Sequence, residues 1–154
     1  MKKSQRMQMI VEIKATQEKK ALEALGAAQR KMLAMQAQLD NLIAYRQGYQ
    51  DQFSRLGSTG VKVGQLLEFR AFIDKLDQAI AGQQQTMLIF ERELTEKRKI
   101  WEELHQQGHG LQKLRDSALK SEIQQAAKIE QGEQDERAAR VGGNSLNGMI
   151  NAGS

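Results

Sequence analysis

Two stripes of large apolar residues on either side of a short glycine-rich turn constrain the fold of this chain more than any other feature. The turn reads Gly57-Ser58-Thr59-Gly60. Most of the flanking apolar residues recur at steps of three and four, which places them on one face of a helix. The stripe before the turn comprises Leu39, Leu42, Tyr45, Tyr49, Phe53 and Leu56, and the stripe after it comprises Leu66, Phe69, Phe72, Ile73, Leu76, Ala79 and Ile80. So short a turn predicts two antiparallel helices packed as a hairpin.

Heptad spacing predicts how the two helices face each other, because positions a and d of a coiled coil point at the partner helix. The first helix is predicted from about Ser4 to Leu56, and the second from a start between Val61 and Gln65 to about Arg140. With Leu25 at a, the first seam is Leu25, Ala28, Met32, Met35, Leu39, Leu42, Arg46, Tyr49, Phe53 and Leu56. With Leu66 at a, the second seam is Leu66, Phe69, Ile73, Leu76, Ile80, Gln83, Met87, Phe90, Leu94, Lys97, Trp101 and Leu104.

Composition supports the same fold class. The chain has no proline, which removes the strongest helix breaker, and its aromatic content of 5% is too low for a thick multilayer core. The residues from Val141 onward are rich in Gly, Asn and Ser, a composition typical of disordered segments. The expected fold is therefore all-α, a long antiparallel two-helix coiled-coil hairpin over 1–140 with its turn at about 57–62, followed by a disordered C-terminal tail over 141–154.

The segment Gly108-His109-Gly110 is the weakest point predicted in the second helix. Two glycines cost a helix about 2 kcal/mol relative to alanine. We expect a kink or local fraying there, with the heptad register decaying. Beyond it a sparser stripe is formed by Leu111, Leu114, Ala118, Ile123 and Ile129.

No sequence motif indicates catalysis. Phosphate-binding glycine loops and nucleophile elbows are absent from the sequence. His105 and His109 have an i,i+4 spacing that suits zinc, but no third ligand lies between them, so we interpret them as exposed polar residues. We expect a protein that is not an enzyme and that has no catalytic residues, cofactor, metal site or small-molecule substrate.

Charge and hydropathy indicate where such a chain works. The net charge of +4 is mild and its signs are interspersed, so nucleic-acid binding is not expected. The chain has no cysteine, no apolar run long enough to span a membrane and no signal-peptide pattern. A cytoplasmic protein is the expectation.

Two aromatic residues lie beside the predicted seam. In an antiparallel coiled coil the g positions of both helices flank the same side, and here they include Gln38, Tyr45, Phe72 and Ala79. Positions of this kind usually carry Glu or Lys. One interpretation is that Tyr45 and Phe72 form an apolar patch for a protein partner, together with Leu42, Tyr49 and Leu76. The other is that the two rings cover each other and thicken the core.

The residues around the turn resemble the FliJ family of the flagellar type III export apparatus. The resemblance lies in the spacing of Leu39, Leu42, Ile43, Tyr45, Arg46 and Tyr49, a glycine-containing turn, and then Phe69, Phe72, Ile73, Leu76, Ala79 and Ile80. It implies a cytoplasmic coiled-coil stalk, peripherally associated with the inner membrane at the flagellar base. It also implies that the end bearing both termini engages the hexameric export ATPase, and that export chaperones bind.

The resemblance further implies that the hairpin region contacts the membrane export-gate protein. Carried over by position, the gate-contact residues are Gln38, Leu42, Tyr45, Tyr49, Phe72, Leu76 and Ala79, and Gln83 continues the strip more weakly. The expected function is a stalk and coupling component linking the ATPase ring to the gate. The alternative is a structural coiled-coil adaptor that self-associates through the same patch.

Overall fold

The chain forms two long α-helices that pack together. In a computed structural model, the backbone of residues 1–152 is described, with side chains for residues 1–144 and 148. Helix α1 comprises Lys3–Gly57 and helix α2 comprises Val63–Ala152, and the described residues contain no strand. The expected all-α hairpin class is confirmed. None of the described helices has a stretch apolar enough to traverse a lipid bilayer.

The observed helix bounds agree with the predicted ones around the turn. Helix α2 begins inside the range predicted for its start, and its bounds extend past the predicted end near Arg140. The flexible tail over 141–154 stays a prediction, and its last two residues lie outside the described part of the chain.

The turn ends one helix and starts the next through local hydrogen bonds. Ser58 Oγ donates to the carbonyl oxygen of Arg55 at 2.7 Å, and Thr59 Oγ1 donates to that of Leu56 at 2.7 Å. These hydroxyls satisfy carbonyls that the last turn of α1 leaves without a helical partner. Gly60 adopts a φ of 93°, a conformation that glycine reaches without steric cost. Gln65 then accepts a hydrogen bond from the backbone N–H of Lys62, as in half of a capping box.

The chain divides into two compact units, and residues Thr16–Gln106 form the larger one. Its core follows the predicted heptads: the most buried apolar side chains are Leu25, Ala28, Leu39, Leu76 and Met87. Leu56 and Leu66 depart from the prediction, since 57% and 37% of their surfaces are exposed. They occupy the last layer before the turn, where no further pair of seam residues covers them.

A polar pair interrupts the apolar seam of this unit. The Arg46 guanidinium at position a bonds both carboxylate oxygens of Asp77 across the seam. This hydrogen bonding raises the pKa of Arg46 above its ordinary value, with a smaller contribution from the charge of Asp77. The pair lies on the flank opposite Tyr45 and fixes how the two helices align at this level.

The smaller unit joins Met1–Ala15 to the part of α2 that begins at Gln107. The fraying expected at Gly108-His109-Gly110 does not occur, because α2 is helical throughout this segment and Gly108 is buried at position a. The kink expected there stays a prediction. The seam continues through Leu111 and Ala118 with the heptad unchanged. Leu114, Ile123 and Ile129, predicted in the stripe, are 58 to 61% exposed.

In the smaller unit, polar residues occupy several seam positions. Arg115 at position a donates to Gln8 Oε1 at 2.8 Å, and Lys14 at position d donates to Gln107 Oε1 at 3.3 Å. Glu122 accepts hydrogen bonds from the backbone N–H and the hydroxyl of Ser4 at 3.0 and 2.6 Å. The hydrophobic pattern fades here because the register is kept by hydrogen bonds.

Candidate protein-interaction surface beside the turn

Five aromatic rings form a continuous row beside the turn. Phe53 and Phe69 stack with centroids 3.8 Å apart, and Tyr49 lies 5.5 Å from Phe69 and 4.6 Å from Phe72. Tyr45 completes the row by meeting Phe72 edge-on at 6.3 Å and 75°. Aromatic pairs in such arrangements stabilise a fold beyond the area that they bury. The row therefore stiffens the helix pair where it leaves the turn.

The row ends at the surface on the flank that the heptads predicted. Tyr45 and Phe72 lie on the same side of the seam and touch each other, as their shared g positions require. Phe72 is half-buried, because Tyr49 and Tyr45 both cover it. Tyr45 has no such cover, and 56% of its surface is exposed. Phe72 thus adds to the core and Tyr45 presents an exposed aromatic ring, while binding of a partner there stays a prediction.

The other residues that the family resemblance assigns to the gate contact differ in how exposed they are. Gln38 and Ala79 are exposed, Leu42 and Tyr49 are half-buried, and Leu76 is 8% exposed. Leu76 thus lies beneath this surface and exposes little area to a partner. The accessible strip is formed by Gln38, Tyr45 and Ala79, with the edge of Phe72.

Gln83 does not extend this strip outward. It occupies position d in the seam, and among the described atoms its buried Oε1 has no hydrogen-bond partner.

The two flanks of this region differ in charge. The g positions over this stretch carry Gln38, Tyr45, Phe72 and Ala79, none of which is charged. The opposite flank carries the Arg46 and Asp77 ion pair. A neutral aromatic strip beside a charged flank gives the helix pair one side suited to burial against another protein.

A second apolar group at the turn was not predicted as a surface. Leu56, Val63, Leu66 and Leu67 are all exposed, Val63 by 75%. Leu56 and Leu66 were assigned to the seam, and the heptad gives no signal that its last layer is open. The position of that layer beside the turn is the one available clue.

The histidines do not assemble a metal site within the described residues. His105 Nδ1 lies 2.6 Å from Glu18 Oε1, and its ring stacks on Trp101 with centroids 5.1 Å apart. No group of three His, Cys, Asp or Glu side chains that would hold a metal ion occurs in the part of the chain that the structure describes. Trp101 is half-buried at position a, as the heptad predicted.

Residues 2–147 match a family described as the flagellar FliJ protein. No curated protein and no solved structure matches the chain. Because the match covers most of the 154 residues, the chain belongs to the flagellar FliJ protein family.

Proposed function

We propose that this protein is a stalk and coupling component of the flagellar type III export apparatus, linking the hexameric export ATPase to the membrane export gate. The family to which the chain belongs supplies the coarser part, a non-catalytic role related to flagellar export. The finer part is supported by a helix pair with a neutral aromatic strip near the turn. Export chaperones are further partners in this proposal, with no residues assigned to them.

The exposed ring of Tyr45 carries the gate-docking half of the proposal. Tyr45 packs edge-on against Phe72 at the edge of the seam, and this contact restrains its ring. Little conformational entropy is therefore lost when a partner covers Tyr45. Gln38 and Ala79 occupy the g positions one heptad further from the turn and are small or neutral enough to pack against a protein surface. Leu42, Tyr49 and Leu76 hold the strip in shape from the seam.

The ATPase half of the proposal assigns the contact to the unit that contains the first fifteen residues. Its seam is held by hydrogen bonds such as Ser4 to Glu122. A helix pair with few buried apolar side chains separates at lower free-energy cost than one with a dry core. Such a pair adapts to a ring surface more readily than the aromatic region does.

The first experiment measures ATP hydrolysis and oligomerisation of the cognate export ATPase with the full chain added. A shortened version comprising residues 16–106 serves as the comparison, after circular dichroism has shown that it remains helical. Stimulation by the full chain that is lost on shortening supports the contact. No stimulation by the full chain rules out the ATPase half and leaves an adaptor role.

A second experiment addresses the gate and the self-associating alternative together. The double variant Tyr45→Ala with Phe72→Ala is tested for binding to the cytoplasmic domain of the gate protein and for oligomeric state. Weaker gate binding with nearly unchanged helicity supports docking. A large loss of helicity supports the core-packing interpretation, and dimers of the natural chain that the double variant abolishes support the adaptor.

A further inference from the structure

One side of the smaller unit combines basic and aliphatic residues and faces solvent. It comprises heptad positions c, f and g of the first fifteen residues and of α2 from Gln107 to Ser121. We name it the basic–apolar side. Its principal members, all exposed, are Lys2, Lys3, Arg6, Met9, Ile10, Ile13, Lys113, Leu114, Ser117, Lys120 and Ser121.

Within residues 1–15 and 107–128, two of the three carboxylates lie on the flank opposite the basic–apolar side. Glu12 and Asp116 occupy b positions on the opposite flank, and Glu122 is at a, where both of its oxygens are hydrogen-bonded to Ser4. Residues 1–15 and 107–128 together hold eight Lys and Arg against three Asp and Glu, a net charge of +5. The whole chain carries only +4, so its excess of positive charge is concentrated in this short region.

Aliphatic side chains stand among the cations. Met9, Ile10, Ile13 and Leu114 are 41 to 58% exposed. A groove of about 550 Å³ opens between the helices on this side, and its lining includes Lys3, Met7, Leu114, Ser117, Ser121 and Glu122.

We propose that the basic–apolar side binds the surface of an anionic lipid bilayer. Lys and Arg stems allow the charged groups to reach lipid headgroups while neighbouring aliphatic side chains enter the acyl boundary. The side carries lysines and aliphatic residues but no aromatic residue. Protein interfaces have the reverse composition, since aromatic residues are enriched there and Lys is depleted. The chemistry therefore favours a fluid anionic surface over a protein pocket.

The test measures co-sedimentation of the full chain with vesicles of phosphatidylcholine containing phosphatidylglycerol, and with vesicles of phosphatidylcholine alone. We expect binding only to the anionic vesicles, weakening as salt is raised. The triple variant Lys2→Gln, Lys3→Gln and Arg6→Gln should bind on the order of 100-fold more weakly, since each basic residue near an anionic membrane contributes about fivefold.

A matched variant separates this surface from general charge. The control variant carries Lys75→Gln, Arg92→Gln and Lys99→Gln. Like the first triple variant it loses two lysines and one arginine, here from exposed positions of the larger unit. We expect this control to bind the anionic vesicles nearly as well as the natural chain. Equal losses in the two triple variants, or no binding of the natural chain to anionic vesicles, would overturn the proposal.

The aliphatic contribution has its own matched pair. Ile10→Ser with Ile13→Ser should weaken vesicle binding by about tenfold, whereas Leu88→Ser with Ile89→Ser, at positions that are at least as exposed, should not. Circular dichroism verifies that both variants stay helical. If the isoleucine pair has no effect, or if duplex DNA binds as tightly as vesicles, the side is a general polyanion site and the membrane assignment fails. The assay contains neither ATPase nor gate protein, so its outcome is independent of the proposed function.

Discussion

Replacing Tyr45 by alanine separates docking from folding more cleanly than any other single change. Tyr45 is 56% exposed, and its ring meets that of Phe72 edge-on at 6.3 Å. An aromatic pair of this kind contributes about 0.5–1.5 kcal/mol. Because more than half of the surface of Tyr45 is exposed, we expect Tyr45→Ala to lower the free energy of unfolding by about 1 kcal/mol. Urea denaturation of the purified chain measures that change.

Docking should suffer more than stability. An aromatic side chain buried at the centre of an interface contributes about 2 kcal/mol or more, so Tyr45→Ala should weaken binding to the gate protein about 30-fold. Calorimetric titration with the cytoplasmic domain of the gate measures the affinity. Tyr45→Phe keeps the ring and should retain most of the binding.

The matched control is Ile43→Ala on the opposite flank. Ile43 is 43% exposed, so its truncation should cost a similar amount of stability. Gate affinity should stay unchanged in this variant, because Ile43 lies outside the aromatic strip. Natural affinity in Tyr45→Ala, or equal weakening in the two variants, would refute the docking argument.

The remaining predictions concern stability and pH. Arg46→Leu should raise the urea midpoint, since a partly exposed ion pair contributes at most about 1 kcal/mol and leucine fits a seam position better. Gly110→Ala should stabilise α2 by about 1 kcal/mol, because an added Cβ meets nothing within 4 Å. The same change at Gly60, with its φ of 93°, should destabilise the turn by about 1 kcal/mol. Thermal unfolding of the two variants measures both changes. Hydrogen bonds from Ser4 hold the pKa of Glu122 below its ordinary value of 4.5, so their stabilisation is present above that pH and is lost as the pH falls through the lowered pKa. An NMR titration of the Glu122 carboxyl should therefore show its pKa rising toward 4.5 in Ser4→Ala.

The sequence predicted the larger unit well, because apolar periodicity dominates there. The heptad assigned from Leu25 and Leu66 places nearly every seam residue correctly, and the g-position argument placed Tyr45 beside Phe72. Periodicity succeeded because an apolar layer is required wherever two helices must exclude water.

The smaller unit shows where that reasoning ends. Glycine propensity predicted fraying near Gly108, yet Gly108 is buried at position a and the helix continues. The sequence pattern predicts Leu114 in the stripe, but Leu114 is exposed, while polar Arg115 occupies the seam and bonds to Gln8. Hydrophobic pattern alone cannot assign a layer that hydrogen bonds hold, because the partner residue lies about 100 positions away in sequence.

Because the larger unit is built on a heptad repeat, its length can be changed without changing which side chains face the seam. Polar contacts between the two helices recur along this unit, joining Glu18 to His105, Lys31 to Glu93 and Arg46 to Asp77. Removing seven residues from α1 and the facing seven from α2 between the outer pairs would shorten each helix by about 10 Å while every remaining side chain kept its angular position. Removing four residues from each helix would shorten the helices by a smaller distance. It would also rotate the aromatic strip around the helix axis. Reach and orientation can therefore be varied separately, with the chemistry of Tyr45 left untouched.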